Sequence, residues 1–156
     1  MRPFDELLAE AVAFHGPLCP GQALGVRMAV AGCRALGIEE PKATGKRLVV
    51  FVEIARCATD AIQSVTGCSL GKRTLKYLDY GKMASTFVDM NTEAAVRVVA
   101  RDDARDRAAS YAPDAPDGRQ AQILAYQKMP EWELLKLEAV TIEPGWLDRK
   151  RVRVPC

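Results

Sequence analysis

Between residues 3 and 14 the apolar positions recur at helical spacing. Phe4, Leu7, Leu8, Ala11 and Val12 share one face, and Asp5 and Glu6 occupy the first turn, where the helix dipole favours acids. This predicts an amphipathic helix from Pro3 to about Phe14. The pattern stops at His15-Gly16-Pro17-Leu18-Cys19-Pro20-Gly21, where two prolines and two glycines force a tight loop. A second helix, Pro20 to Leu36, is apolar nearly all round except for Arg27 and Arg34 on one stripe, as expected of a buried helix. Pro20 suits its first position and Gly37 its C-terminal cap.

The period then shortens. Arg47 to Ile54 (RLVVFVEI) is a nearly continuous β-branched run and predicts a central strand covered on both faces. A short helix follows over Thr59 to Val65, opened by Thr59 or Cys57 and closed by Gly67, and Gly67 to Thr74 (GCSLGKRT) reads as a polar loop. Leu75 to Asp79, Met83 to Asp89 and Ala95 to Ala100 read as strands joined by turns at Tyr80-Gly81 and Asn91-Thr92, which suits an antiparallel meander. Asp102 to Tyr111 and Gly118 to Met129 look like surface helices, and Leu135 to Ile142 like a last strand. This divides the chain into a core domain, residues 1–143, and a basic tail, residues 144–156. The tail has lost periodicity and carries Arg149, Lys150, Arg151 and Arg153; it is read either as a solvated segment or as one that docks on an acidic partner.

Composition narrows the class. At 156 residues, with 49% hydrophobic and 27% charged, the chain suits one globular domain, and it has no apolar run near the roughly 18 residues a membrane span needs. The net charge of +2 gives no argument for nucleic acid or an anionic membrane as partner. The N-terminus, MRPFDELLAEAV, carries acids where a signal peptide would place an apolar run, so the expected location is the cytoplasm. In that reducing compartment five cysteines are metal-binding, catalytic or buried rather than a disulfide framework.

Two of those cysteines stand out. Cys19 lies at the start of the second helix, four residues after the only histidine, His15, and Cys57 lies where a strand gives way to a helix. Free N–H groups at a helix N-terminus favour a thiolate, the form that binds metals and attacks electrophiles. Cys33, inside the apolar helix, is expected in the core, and Cys156 at a frayed end. Cys68, eleven residues after Cys57, fits no known metal-ribbon spacing. Ser69, Gly71, Lys72 and Arg73 in its loop suit an anion or simply a solvated turn, and the loop is no P-loop, because one glycine of that pattern is missing.

The runs FHGPLCPGQALGVR (Phe14 to Arg27), EIARCATDAIQSVTGCSLGKRTL (Glu53 to Leu75) and DYGKMASTFVD (Asp79 to Asp89) closely resemble the FmdE family, which takes its name from one of the subunits of formylmethanofuran dehydrogenase. The resemblance runs in the same order from about Phe4 to Val140. It implies an α+β fold, a mixed and mostly antiparallel sheet packed with helices, usually as a dimer. It also implies a cleft where the His-Gly-x-x-Cys-Pro-Gly loop meets the Cys-x-x-Asp-Ala-Ile-Gln motif. On this chain that brings together His15, Cys19, Cys57 and Cys68, with Asp60, Gln63, Lys72 and Asp79 as polar, substrate-binding companions. The namesake travels with a molybdenum or tungsten enzyme that fixes CO2 onto methanofuran, which implies a larger redox-enzyme complex as partner, yet many bacterial members lack that context. Three departures stand out. Pro17 replaces a second histidine of many relatives, Gly71-Lys72-Arg73-Thr74 replaces Gly-Lys-Gly-Asn, and Cys156 falls where longer members open a zinc-binding module.

Three readings follow. The first is a metal site of His15, Cys19 and Cys57, with Cys68 a weaker fourth ligand. Zinc suits these donors first, and three ligands leave a position for water or substrate in a domain accessory to molybdenum, tungsten or C1 metabolism. The second is a metal-free thiol enzyme with Cys19 or Cys57 as nucleophile and His15 as base. The third is a non-catalytic subunit or interaction module.

Overall fold

A computed structural model describes residues 1–143 of the chain. The tail readings, with Cys156, lie outside the described residues. Helix α1 (Phe4–His15) begins after Pro3, keeps Asp5 and Glu6 in its first turn, and buries Leu7, Leu8 and Ala11. Helix α2 (Pro20–Ala35) is buried along most of its length, from Gln22 to Cys33. Arg27, unusual on such a helix, donates to the backbone oxygens of Tyr126, Gln127 and Met129 at 3.1, 3.3 and 2.8 Å, satisfying carbonyls that a helix end leaves unpaired. Cys33 is fully buried, as expected, and burial pushes its thiol up to about 12.

Strand β1 (Leu48–Val52) follows a short 3-10 turn at Pro41–Ala43 and leads into α3 (Cys57–Thr66). All five β1 residues are buried, so the strand is covered on both faces. Leu48, Val50 and Val52 enter the main core beneath the helices, whereas Val49 and Phe51 join Val88 and Ala95 in a smaller apolar cluster. Strands β2 (Leu75–Tyr77), β3 (Ala84–Asp89) and β4 (Ala95–Ala100) come next, then α4 (Ala104–Tyr111), α5 (Gly118–Lys128), the single turn α6 (Glu131–Leu134) and β5 (Leu135–Val140). The 3-10 turn and α6 are too short to leave a periodic signal and were not expected.

The sheet order is β2-β1-β3-β4-β5. Pairing is antiparallel throughout except between β1 and β2, which run parallel with Val50 opposite Leu75. The result is an α+β fold with a mixed, mostly antiparallel sheet. The meander expected to start at Leu75 is corrected by this order: β2 pairs with β1 and not with β3. A parallel neighbour needs a crossover, and α3 supplies it.

Helix α2 is the hub of the helical layer, packing on α1, α3 and α5 and on strands β3 and β4. Its approach to α3 is close because Gly25 faces the Ala58 backbone; a Cβ at Gly25 would stand 2.4 Å from the Ala58 oxygen and 2.8 Å from its Cα. That contact sets the distance between the starts of α2 and α3. No helix among the described residues is long and apolar enough to cross a membrane.

Candidate metal centre

Three helix ends meet at one point. His15 is the last residue of α1, Cys19 is the N-cap of α2, and Cys57 is the first residue of α3. Gly16, at φ 113°, turns the chain out of α1, and Pro20 starts α2 at once. Gly21 lets that start lie against α3: a Cβ there would sit 3.0 Å from the Cβ of Cys57. As a result a ring nitrogen of His15 and the Sγ atoms of Cys19 and Cys57 all lie within 4.8 Å of one another. Ligands held at about 2.0–2.3 Å by a tetrahedral metal stand roughly 3.3–3.8 Å apart, so a small inward movement completes the geometry. Cys19 is 9% exposed, and His15 and Cys57 are half-buried, which leaves the group shielded but reachable.

Asp60 lies one turn beyond Cys57 on the same face of α3, and its Oδ2 sits 2.7 Å from Nδ1 of His15. An ionised carboxylate only accepts, so Nδ1–H donates and Nε2 is the nitrogen left for a metal. A carboxylate behind a metal-binding imidazole fixes its tautomer and raises its basicity. The sequence motif offered Asp60 as a substrate-binding companion; the structure puts it behind His15, and its i+3 spacing from Cys57 was the available signal.

The Cys57 thiol departs from the simple helix-dipole picture. Burial, followed by the hydrogen bond and the charge of Cys19, pushes the Cys57 thiol up from its ordinary value. Two adjacent thiolates need a cation between them, and two sulfurs with one imidazole are a donor set suited to zinc or another soft divalent metal.

The remaining candidates separate. Cys68 does not join the group. Its Sγ is 3.5 Å from the backbone oxygen of Leu48, the residue is 3% exposed in the main core, and burial pushes its thiol up. Lys72 also stands apart, its Nζ donating to the Gly67 oxygen at 3.0 Å in its own loop. Asp79 accepts from the Tyr77 hydroxyl at 2.6 Å and from the Gly81 N–H at 2.9 Å, which hold it below the usual carboxylate range. Gln63 lines a cleft of about 590 Å³ together with Arg56, Cys57, Asp60, Leu70 and Tyr77. The cleft thus opens on the Cys57 and Asp60 side of the centre. Neither Arg56, which directly precedes Cys57, nor Tyr77, which only the β1–β2 pairing brings near it, is singled out by the sequence.

Residues 14–138 match the family model described as "FmdE, Molybdenum formylmethanofuran dehydrogenase operon". The chain belongs to the FmdE family. All three convergent residues fall inside the matched segment. Over 94 residues the chain is 46% identical to a "Probable S-adenosyl-L-methionine-binding protein" of Archaeoglobus fulgidus, a match covering 59% of this chain and 26% of that protein. The chain therefore spans about a quarter of that relative's length. The fold is similar to that of an FmdE-like protein of tungsten formylmethanofuran dehydrogenase type from Syntrophus aciditrophicus, with a TM-score of 0.71 and 24% identity over 96% of this chain and 78% of the other. This FmdE fold carries a His/Cys/Cys group that could hold a metal ion.

Proposed function

We propose that this chain is a zinc-binding FmdE-family domain in which His15, Cys19 and Cys57 are the ligands and the fourth position stays open to water or substrate. The observation that carries the reading is the convergence of three donor atoms within 4.8 Å, with Asp60 at 2.7 Å behind the imidazole. Zinc, when bound, supplies a Lewis acid that polarises or activates an oxygen ligand. The chain's own residues do the rest. Asp60 orients His15, the α2 and α3 N-termini hold Cys19 and Cys57 beside each other, and the cleft beside Cys57 admits a ligand. The metal-free thiol enzyme is the weaker reading, because a nucleophile needs its thiolate at neutral pH and burial and Cys19 both oppose that at Cys57.

The family's name and that of the structural relative support a further step. The domain serves as a cytoplasmic accessory to molybdenum, tungsten or C1 metabolism, as a homodimer or beside a larger redox-enzyme complex. The test of the metal reading is direct. Purified wild-type protein should carry about one equivalent of zinc by elemental analysis, in line with one three-ligand site, and a His15→Ala, Cys19→Ser double variant should carry none. Equal metal content in the two would sink the reading.

A further inference from the structure

The cleft on the Cys57 side has walls of two kinds. Leu75, Leu70 and the Tyr77 ring give it apolar surface, and Leu70 and Tyr77 are 66% and 44% exposed, well above what a packed core would leave. Its polar groups are mostly committed. Asp60 holds His15, the Thr59 hydroxyl donates to the Ile54 oxygen at 2.7 Å, and the Tyr77 hydroxyl donates to Asp79. Two are not. Among the described residues, neither the Arg56 guanidinium nor the Gln63 side-chain amide has a hydrogen bond or ion pair; the Arg56 charge acts on Asp79 only at longer range. Elsewhere Arg34, Arg47, Arg97 and Arg107 all face acids.

We propose that this cleft binds a small organic carboxylate, with Arg56 and Gln63 taking the carboxylate group and Leu70, Leu75 and the Tyr77 ring taking an apolar body. The volume of about 590 Å³ falls in the usual range for small-molecule sites. A guanidinium presents a planar fork that matches a carboxylate in two parallel hydrogen bonds, and a primary amide adds a further donor. A doubly charged phosphate fits less well, since Asp60 lines the cleft and Asp79 sits behind Tyr77, and two carboxylates repel a dianion more than a monoanion. The proposal rests on the metal reading only in that Cys57 lines the same cleft, so a bound acid lies beside the centre.

The probes are 3-phenylpropionate and 4-phenylbutyrate, each beside its neutral primary amide, with phenyl phosphate as a dianion. Dissociation constants are measured by calorimetry on the zinc-loaded protein, on Arg56→Gln, and on His15→Ala. Arg56 is exposed, so its replacement leaves the core untouched, and an unchanged circular dichroism spectrum verifies this. The expected result is an acid-over-amide preference of about ten-fold in wild type, falling to about one in Arg56→Gln and persisting in His15→Ala. The proposal is overturned by equal affinity for acid and amide, by no binding of either acid, by tighter binding of phenyl phosphate, or by a preference that survives Arg56→Gln. A wild-type protein without zinc that keeps the Arg56-dependent preference would overturn the metal reading and leave this one standing.

Discussion

Replacing Gly25 by alanine sets two effects of opposite sign against each other. In the interior of a helix alanine is favoured over glycine by about 1 kcal/mol, so propensity alone predicts a gain. The packing predicts the reverse. The added methyl would lie 2.4 Å from the Ala58 oxygen, 2.8 Å from the Ala58 Cα and 2.8 Å from the Ala61 Cβ, whereas real Cβ atoms keep at least 3.0 Å. Two of those neighbours are backbone atoms of α3, which cannot swing aside as a side-chain tip can. To regain ordinary contact, α2 and α3 must separate by roughly 1 Å, and overpacking of this kind costs about 1–3 kcal/mol or more. With three contacts the upper end applies, and the net loss after the propensity gain is about 2 kcal/mol. Urea unfolding should show a lower midpoint at an unchanged slope, and the melting temperature should fall by roughly 4–8 °C. Gly118, the first residue of α5, has open space around its Cβ position, so Gly118→Ala should be neutral or slightly stabilising. Because the α2–α3 distance also sets the gap between Cys19 and Cys57, Gly25→Ala should lose zinc affinity while Gly118→Ala keeps it. A Gly25→Ala protein as stable as wild type would refute the packing argument.

Two further perturbations test other parts of the molecule. Asp60→Ala should lower zinc affinity by about 10–100-fold, measured by competition with a chromophoric chelator, without changing the circular dichroism spectrum; an unchanged affinity would remove Asp60 from the centre. Asp89 is buried and accepts from the Arg47 Nε at 3.0 and 3.1 Å and from its terminal nitrogen at 2.6 Å, and this pairing holds its carboxyl below the ordinary value of 3.8. A depressed folded-state pKa adds stability that is present above the ordinary value and lost as pH falls through the folded one, so the loss should set in below about pH 4. Asp89→Asn should flatten that acid limb in denaturant titrations at successive pH values; identical slopes in the two proteins would count against the pair.

The parts of the fold legible in the sequence are those whose pattern is long or doubly marked. Helices α1 and α2 have three or more turns of periodic apolar residues and proline or glycine at their ends, and β1 is a run of five residues buried on both faces. Strand β2 was recognisable as a strand, but a period of two says nothing of which strand lies beside it. Its partner is decided by the α3 crossover and by the register that sets Leu75 against Val50. The candidate centre was legible for a related reason. A thiol at a helix start is a local feature, so His15, Cys19 and Cys57 could be singled out one by one. What joins them is tertiary: Gly21 and Gly25 read in sequence only as small residues on an apolar helix, and only the approach of α3 shows why a larger one will not fit. The same limit applies to Cys68, whose eleven-residue distance from Cys57 is silent on whether its sulfur faces the cluster or the Leu48 carbonyl.

The β1–α3–β2 unit explains why the centre and its cleft lie where they do. These two strands form the parallel pair of the sheet, and a parallel pair must send its chain from the end of one strand over the sheet to the start of the next. The turn from β1 into α3 therefore falls at the carboxyl end of β1, where a helix N-terminus and the strand end leave a crevice, the place where open sheets with parallel strands collect ligands. Cys57 is the first helical residue after that turn, Arg56 precedes it, and Asp60 and Gln63 follow on successive turns of α3. Tyr77, at the end of β2, closes the crevice from the other strand. One short crossover thus contributes a candidate metal donor, the carboxylate paired with the histidine, and the two polar side chains of the cleft that make no hydrogen bond among the described residues. The α1–α2 loop needs to bring only His15 and Cys19, and the tight α2–α3 contact at Gly21 and Gly25 delivers them.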